Sequence, residues 1–361
     1  MFIFHIVKYG IFRNKARSIL NLLICILLVS LLEIYLQNIV NNKEQLNELP
    51  DALPVFCKII NLNGSQESGL EISEELVDQL QTSSQVADLC VTNPLMAGVG
   101  EFEEKDWQTK LDIKVTAANT VSAISGLSQD LLTMEDGTTA EFLQTDRYAC
   151  IVSEDLLKEK NWSVGDVIPL NLYSYVHTNK YQVNFEPLQL TEYEIAGTMD
   201  RFVSTSGQSG RTPEIIIPFE TVRELYHQKG IAFTADSASF YVADPLDLNE
   251  FKEEMQGYGL LSKAPDALYS YQGNTLLVRD SSFISTASKL RQGFDILTGF
   301  LPAVVLTVIF IGYIISILLT DSRQTEYALM RIQGMRAGLC FLTFFLEEFL
   351  IVLFGCVISG G

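Results

Sequence analysis

The chain has 361 residues, 48% of them hydrophobic and only 19% charged, yet its formal net charge is -19. Such an acidic balance repels a phosphate backbone and excludes nucleic acid as the main partner. The length exceeds one ordinary domain, so the apolar excess and the acidity predict membrane segments plus one large acidic folded domain.

Residues 1–18 place Phe2, Ile6 and Tyr9 at helical spacing ahead of a basic end, which predicts an interfacial helix on the inner leaflet. Residues 19–40 form the first apolar stretch, interrupted by Asn21 and Glu33 and long enough for a hydrocarbon core of about 30 Å. No small-x-small cleavage site follows Val29, so the stretch reads as an uncleaved signal-anchor. Lys8, Arg13, Lys15 and Arg17, with no acid before Glu33, place the N-terminus in the cytoplasm by the positive-inside rule. Residues 41–282 are then extracytoplasmic.

The extracytoplasmic part begins with a stripe of Leu36, Ile39, Val40, Leu46 and Leu49, ended by Pro50 and Pro54. Residues 55–62, 72–80 and 86–91 read as a β-α-β unit with Ile72, Leu76 and Leu80 on one helix face. A weak echo follows Ser239, where Asp244 or Asp247 is placed to cap a helix carrying Phe251 and Met255. Residues 111–217 are rich in strand and turn signals, and 204–211 reads as an exposed mobile loop. Cys57, Cys90 and Cys150 fall in this domain and Cys25, Cys340 and Cys356 in apolar segments. With an odd external set and no CxxC, they read as small buried hydrophobes; whether one disulfide forms among the external three is open.

Residues 283–295 repeat Phe283, Ala287, Leu290 and Phe294 at steps of three and four, a stalk helix running into the second apolar stretch at 296–320. The two stripes are expected to pack as a stalk, with Leu36, Val40, Leu290 and Phe294 at the contact. The second stretch carries no charge before its end, and Pro302 predicts a kink. Residues 321–338 form a short polar link whose arginines again fit a cytoplasmic position. The third stretch, 339–361, contains Glu347 and Glu348. An acid there costs on the order of 3 kcal/mol at the bilayer centre, so Glu347 is expected to make a structural hydrogen bond inside a helical bundle, with a proton or ion relay as the alternative.

No GxxxxGK[ST] loop is present, so the chain holds no ATP by that means. His5, His177 and His227 are scattered and no GxSxG elbow occurs, so neither a zinc site nor a serine hydrolase is indicated and no cofactor is expected.

The link and third stretch, DSRQTEYALMRIQGMRAGLCFLTFFLEEFLIVLFGCVISGG, carry Arg323, Glu326, Ala328, Leu329, Met330, Arg331, Gly334 and Arg336 in order, then Glu347, Gly355 and Gly360. This pattern resembles the signature of FtsX-like permeases, the MacB-type membrane subunits of ABC transporters. The basic RNKARS before the first span, WSVGDVIPL, YEIAGTMDRF and EIIIPFETV are similar to the same family's recurring order. The residue patterns and the resemblance together give an α+β chain: three transmembrane α-helices read from the apolar stretches, with a large mixed α/β extracytoplasmic domain, of one lobe or two, between helices 1 and 2.

It further implies a permease subunit that couples a separate cytoplasmic ABC ATPase to export of peptide, antibiotic or lipoprotein, or to mechanotransmission. Arg323, Glu326, Leu329, Met330, Arg331, Gly334 and Arg336 would form the ATPase-coupling helix, with Glu347 in the bundle. The implied partners are that ATPase, a second permease subunit, membrane lipid and an extracytoplasmic protein or peptide. Family members usually carry a fourth membrane helix, so the sequence also reads as a fragment. The alternative is a non-transporting receptor or regulator whose outer domain binds a partner.

Overall fold

The computed structural model describes residues 15–103, 106–135, 137–179, 182–202, 212–260, 273–321 and 323–359. Residues 1–14 of the interfacial helix expected at 1–18 and the loop expected at 204–211 lie outside these residues, while 15–18 belong to the first long helix. The chain divides into two compact units, one holding the described residues up to Ala52 and from Ile284 onward, the other Leu53–Phe283.

Helix α1 (Lys15–Ala52) is continuous over 38 residues. At 1.5 Å per residue it is about 57 Å long, nearly twice a hydrocarbon core. Lys15 already belongs to it, and Pro50 sits inside its last turn instead of ending it. There the missing N–H forfeits a single hydrogen bond, and the helix closes two residues later.

The second unit runs in chain order through β1 (Phe56–Asn61), β2 (Ile72–Ser73), α2 (Glu74–Thr82), β3 (Val86–Val99), α3 (Trp107–Lys110), β4 (Ile113–Ala118), β5 (Leu132–Met134) and β6 (Ala149–Ser153). It continues through α4 (Glu154–Lys160), β7 (Val167–Asn179), β8 (Gln182–Met199), β9 (Ile215–Pro218), α5 (Phe219–Lys229), β10 (Thr234–Ala235), β11 (Ser237–Val242), α6 (Leu248–Gly257) and β12 (Asn274–Arg279). Among the described residues the main sheet has the order β12-β1-β11-β3-β4-β9-β6-β8-β5, with β7 pairing β3 and β8.

The first four strands of that order explain the unit. β11 is antiparallel to both β1 and β3, and β12 is antiparallel to β1. Thus β1-α2-β3 straddles β11 while β11-α6-β12 straddles β1, two interlocked split β-α-β units of ferredoxin-like arrangement. The weak echo after Ser239 is therefore the second half of this motif. Asp244 accepts the Leu246 N–H at 2.9 Å and opens the turn leading to α6. α2 is capped by Ser73 and buries Leu76, Val77 and Leu80, as an amphipathic helix over a sheet must.

The described elements from α3 to β9 form an insertion built on the far end of β3, and the chain returns through β10, which pairs β2. That strand pairs β11 over its first half and exchanges it for β7 from Leu95 onward. Pro94, which has no N–H to donate, falls at the exchange. The inserted part closes over Ile151, Leu143, Ala196 and Ile216, all fully buried, and mixes parallel pairs (β4 with β9, β6 with β8) with antiparallel ones. Cys57 and Cys150 are buried free thiols in this unit and Cys90 is a half-buried one. Burial pushes the Cys57 thiol up to about 12, which makes it inert packing.

The first unit resumes with α7 (Ser281–Asp321, 41 residues), α8 (Gln324–Ile332) and α9 (Ala337–Ser359). Among the described residues three helices, α1, α7 and α9, are long and apolar enough to cross a membrane.

Candidate functional site

α8 is nine residues of mixed character between two apolar helices. Arg323 is its N-cap residue, its carbonyl accepting the Tyr327 N–H at 3.0 Å. Glu326 lies in the first turn, where a negative charge complements the helix dipole. At the other end Gly334 adopts φ +88°. Gly334 donates to the Arg331 carbonyl at 3.1 Å and Met335 to the Met330 carbonyl at 3.2 Å, the paired bonds of a Schellman turn. Arg331 Nη1 braces this turn by donating to the Met335 carbonyl at 3.0 Å. The Arg336 carbonyl then accepts the N–H groups of Leu339 and Cys340 and starts α9.

α8 buries none of its residues. Leu329 is 59% and Ile332 81% exposed. With Ala328 they form one apolar face, because positions three and four apart share a side of a helix. Met330 is half-buried, and Arg331 and Arg336 are exposed.

Arg323 behaves differently from the rest of its group. Its guanidinium is turned inward and grips Glu347 on α9 with two hydrogen bonds, Nη1 to Oε2 at 2.7 Å and Nη2 to Oε1 at 2.6 Å. Both side chains are only 4% exposed. The Phe344 ring lies under the guanidinium at 5.3 Å, and Glu348 Oε1 stands 3.7 Å from Nη2. Glu348 in turn accepts a hydrogen bond from Asn21 Nδ2 of α1. Asn21 is itself buried. Four polar residues that interrupt or border the apolar helices, Asn21, Arg323, Glu347 and Glu348, thus converge on one node. Two-pronged Arg–carboxylate contacts are among the strongest polar pairs, and burial raises the penalty for separating them.

α1 packs closely on α9. A Cβ placed on Gly355 would come within 3.2 Å of Cys25 Cβ and 3.8 Å of the Ile26 nitrogen, so the glycine is what admits the two backbones to this distance. α7 meets α1 less intimately. The Tyr35 hydroxyl donates to the Leu297 carbonyl at 2.6 Å, one residue before the carbonyl that Pro302 leaves without its helical donor. Further along, Asn42 Oδ1 is 3.8 Å from where a Gly293 Cβ would stand. Half-buried Ile39 sits between these contacts, and Leu290 and Phe294 are half-buried on α7. Leu36 and Val40 are 42% and 47% exposed. The contact face of α1 is accordingly rotated from the expected apolar stripe toward Tyr35 and Asn42, two residues that an apolar-only pattern passes over.

No family model and no curated protein matches this sequence. Among solved structures, the chain is similar to the periplasmic region of MacB from Actinobacillus actinomycetemcomitans, at 10% identity and TM-score 0.35, over 65% of this chain and 92% of that one. It is also similar to the extracellular domain of the noncanonic ABC-type transporter YknZ from Gram-positive bacteria, at 13% identity and TM-score 0.32, over 62% and 99% of the two chains. A third likeness, to a domain assigned to a permease from Porphyromonas gingivalis, has 13% identity and TM-score 0.31 and covers 62% and 86%. At these identities and scores, the functional reading is left to the residues themselves.

Sequence reasoning placed Glu347 in a bundle but did not identify Arg323 as its partner, and gave Glu348 and Asn21 no partner at all. A signal was available. One arginine directly after an apolar stretch, with acids deep in the next, is a pairing that hydrocarbon favours.

Proposed function

We propose that this chain is the membrane subunit of an ABC-type system, a permease of the FtsX-like and MacB kind, in which α8 docks on a separate cytoplasmic ATPase and the folded unit responds on the outer side. The observation that carries the reading is the exposed apolar face of α8, Ala328, Leu329 and Ile332, on a short helix with fixed ends between two apolar helices. An apolar face left in water costs about 25 cal/mol per Å², so a helix that presents one is shaped for a partner. The sequence offers no phosphate-cradling loop, and a separate ATPase supplies what is missing.

In this reading the N-terminus is cytoplasmic, Leu53–Phe283 is outside, and the subunit works with a second permease subunit in the cell membrane. Because α1 and α7 are continuous helices far longer than the bilayer, they convert a tilt at the membrane into displacement outside. The work done is movement for export of peptide, antibiotic or lipoprotein, or mechanotransmission, and the chain itself catalyses no reaction.

Two measurements test this. A membrane-impermeant thiol reagent applied to intact cells is expected to label Leu246→Cys and to spare Gln324→Cys; the reverse pattern overturns the orientation. The purified chain alone is expected neither to bind nor to hydrolyse ATP, and nucleotide affinity without a partner contradicts a two-protein system.

A further inference from the structure

We propose that Arg323 is a positioning residue: its paired hydrogen bonds to Glu347 form a strut that fixes the orientation of α8 against α9 and presents the face of Ala328, Leu329 and Ile332. The case begins with what does not hold α8 in place. None of its residues is buried and only Glu326 and Met330 are half-buried, so side-chain packing gives its direction little support. Its C-terminal end is attached to α9 through the turn at Gly334, Met335 and Arg336, a single point about which a short helix swings.

The N-terminal end supplies the second point. Arg323 caps α8 through its carbonyl and grips Glu347 through its guanidinium, so one residue both starts the helix and anchors it. Glu347 lies ten positions beyond Ala337, about 15 Å along α9 from its start. Two attachments that far apart fix the direction of α8, and the planar two-bond contact at Arg323 restrains its rotation about that line. The node does not end there, because Glu348 is bound by Asn21 of α1, and α1 and α9 are closely packed at Gly355. A push on α8 therefore reaches α9 and α1 together. Lysine substitutes only in part, since an ammonium is a point charge without the planar fork that fixes direction.

The inference rests on the docking reading only for what binds the presented face, and its test needs no ATPase. Backbone amide exchange is measured on the full chain in detergent, comparing Met330, Arg331 and Ile332 with the β3–β4 ladder. In Arg323→Gln the α8 amides are expected to exchange at least about tenfold faster while the ladder is unchanged, because one anchor of a locally held element is lost. Arg323→Lys is expected to fall between the two. The exchanged pair, Arg323→Glu with Glu347→Arg, is expected to restore slow exchange, which neither single reversal does. If a single reversal fails to accumulate, recovery of accumulation in the exchanged pair supports the strut and non-recovery overturns it. Unchanged α8 exchange in Arg323→Gln, a lysine variant equal to wild type, or an exchanged pair no better than its singles also overturns it.

Discussion

Gly334 holds φ +88°, a conformation that costs a side chain about 1 kcal/mol. Gly334→Ala is expected to loosen the turn enough to speed tryptic cleavage at the flanking exposed Arg331 and Arg336 about fivefold in inverted vesicles. An unchanged rate would mean the turn is held by something other than its backbone. A second residue-scale test lies in the folded unit, where Arg223 of α5 binds Glu74 and reaches both oxygens of Asp78 on α2 at 2.7 and 2.8 Å, and His227 meets Glu74 at 2.9 Å. Burial pushes the Glu74 carboxyl up, but hydrogen bonds from His227 and Arg223 outweigh it and hold the group below its usual range. A carboxyl lowered in the folded state stabilises above its unfolded value, about 4.3, and that contribution is lost as pH falls through the folded one. Glu74→Gln is thus expected to flatten the decline in stability below about pH 5, and Arg223→Ala to cost about 2 kcal/mol at neutral pH. Both tryptophans, Trp107 and Trp162, lie in this unit, so tryptophan fluorescence of the whole chain follows its unfolding alone. An Arg223→Ala transition that coincides with wild type would contradict the role given to the cluster.

Among elements, the three apolar helices were legible because unbroken hydrophobicity is a one-dimensional signal. The register of α1 against α7 was not. Apolar residues alone draw a stripe through Leu36 and Val40, whereas the contact uses a tyrosine hydroxyl and an asparagine beside a glycine, so polarity hid the face. A cysteine pair at Asn42 and Gly293 is expected to crosslink readily and one at Val40 and Phe294 poorly; equal yields would contradict this register. Gly355→Leu is expected to separate α9 from α1 and lower the amount of chain retained in membranes, with Gly299→Leu, whose position has open space around it, as the neutral comparison. The ferredoxin-like motif was half legible. Its first β-α-β is local, but the partner strand β11 comes only after the intervening residues 100–236, and pairing across such a gap leaves no periodic trace in sequence. The charge node escaped for a related reason, since Arg323 and Glu347 sit in segments that look unlike each other and are joined only by the turn at Gly334.

For the whole molecule, a membrane unit carrying a short helix with an exposed apolar face and a large folded unit joined by continuous helices make sense together if force enters at α8. The measurement that tests this most directly is photocrosslinking in native membranes, with a benzophenone amino acid at Ile332 and a control at Tyr241 of β11, followed by mass spectrometry of the adducts. The account predicts that Ile332 captures a protein containing a phosphate-binding GxxxxGK[ST] loop, that Tyr241 does not, and that Leu329→Glu in the same chain abolishes the capture. Adducts at Ile332 to lipid alone, or to the same proteins with and without Leu329→Glu, would contradict it.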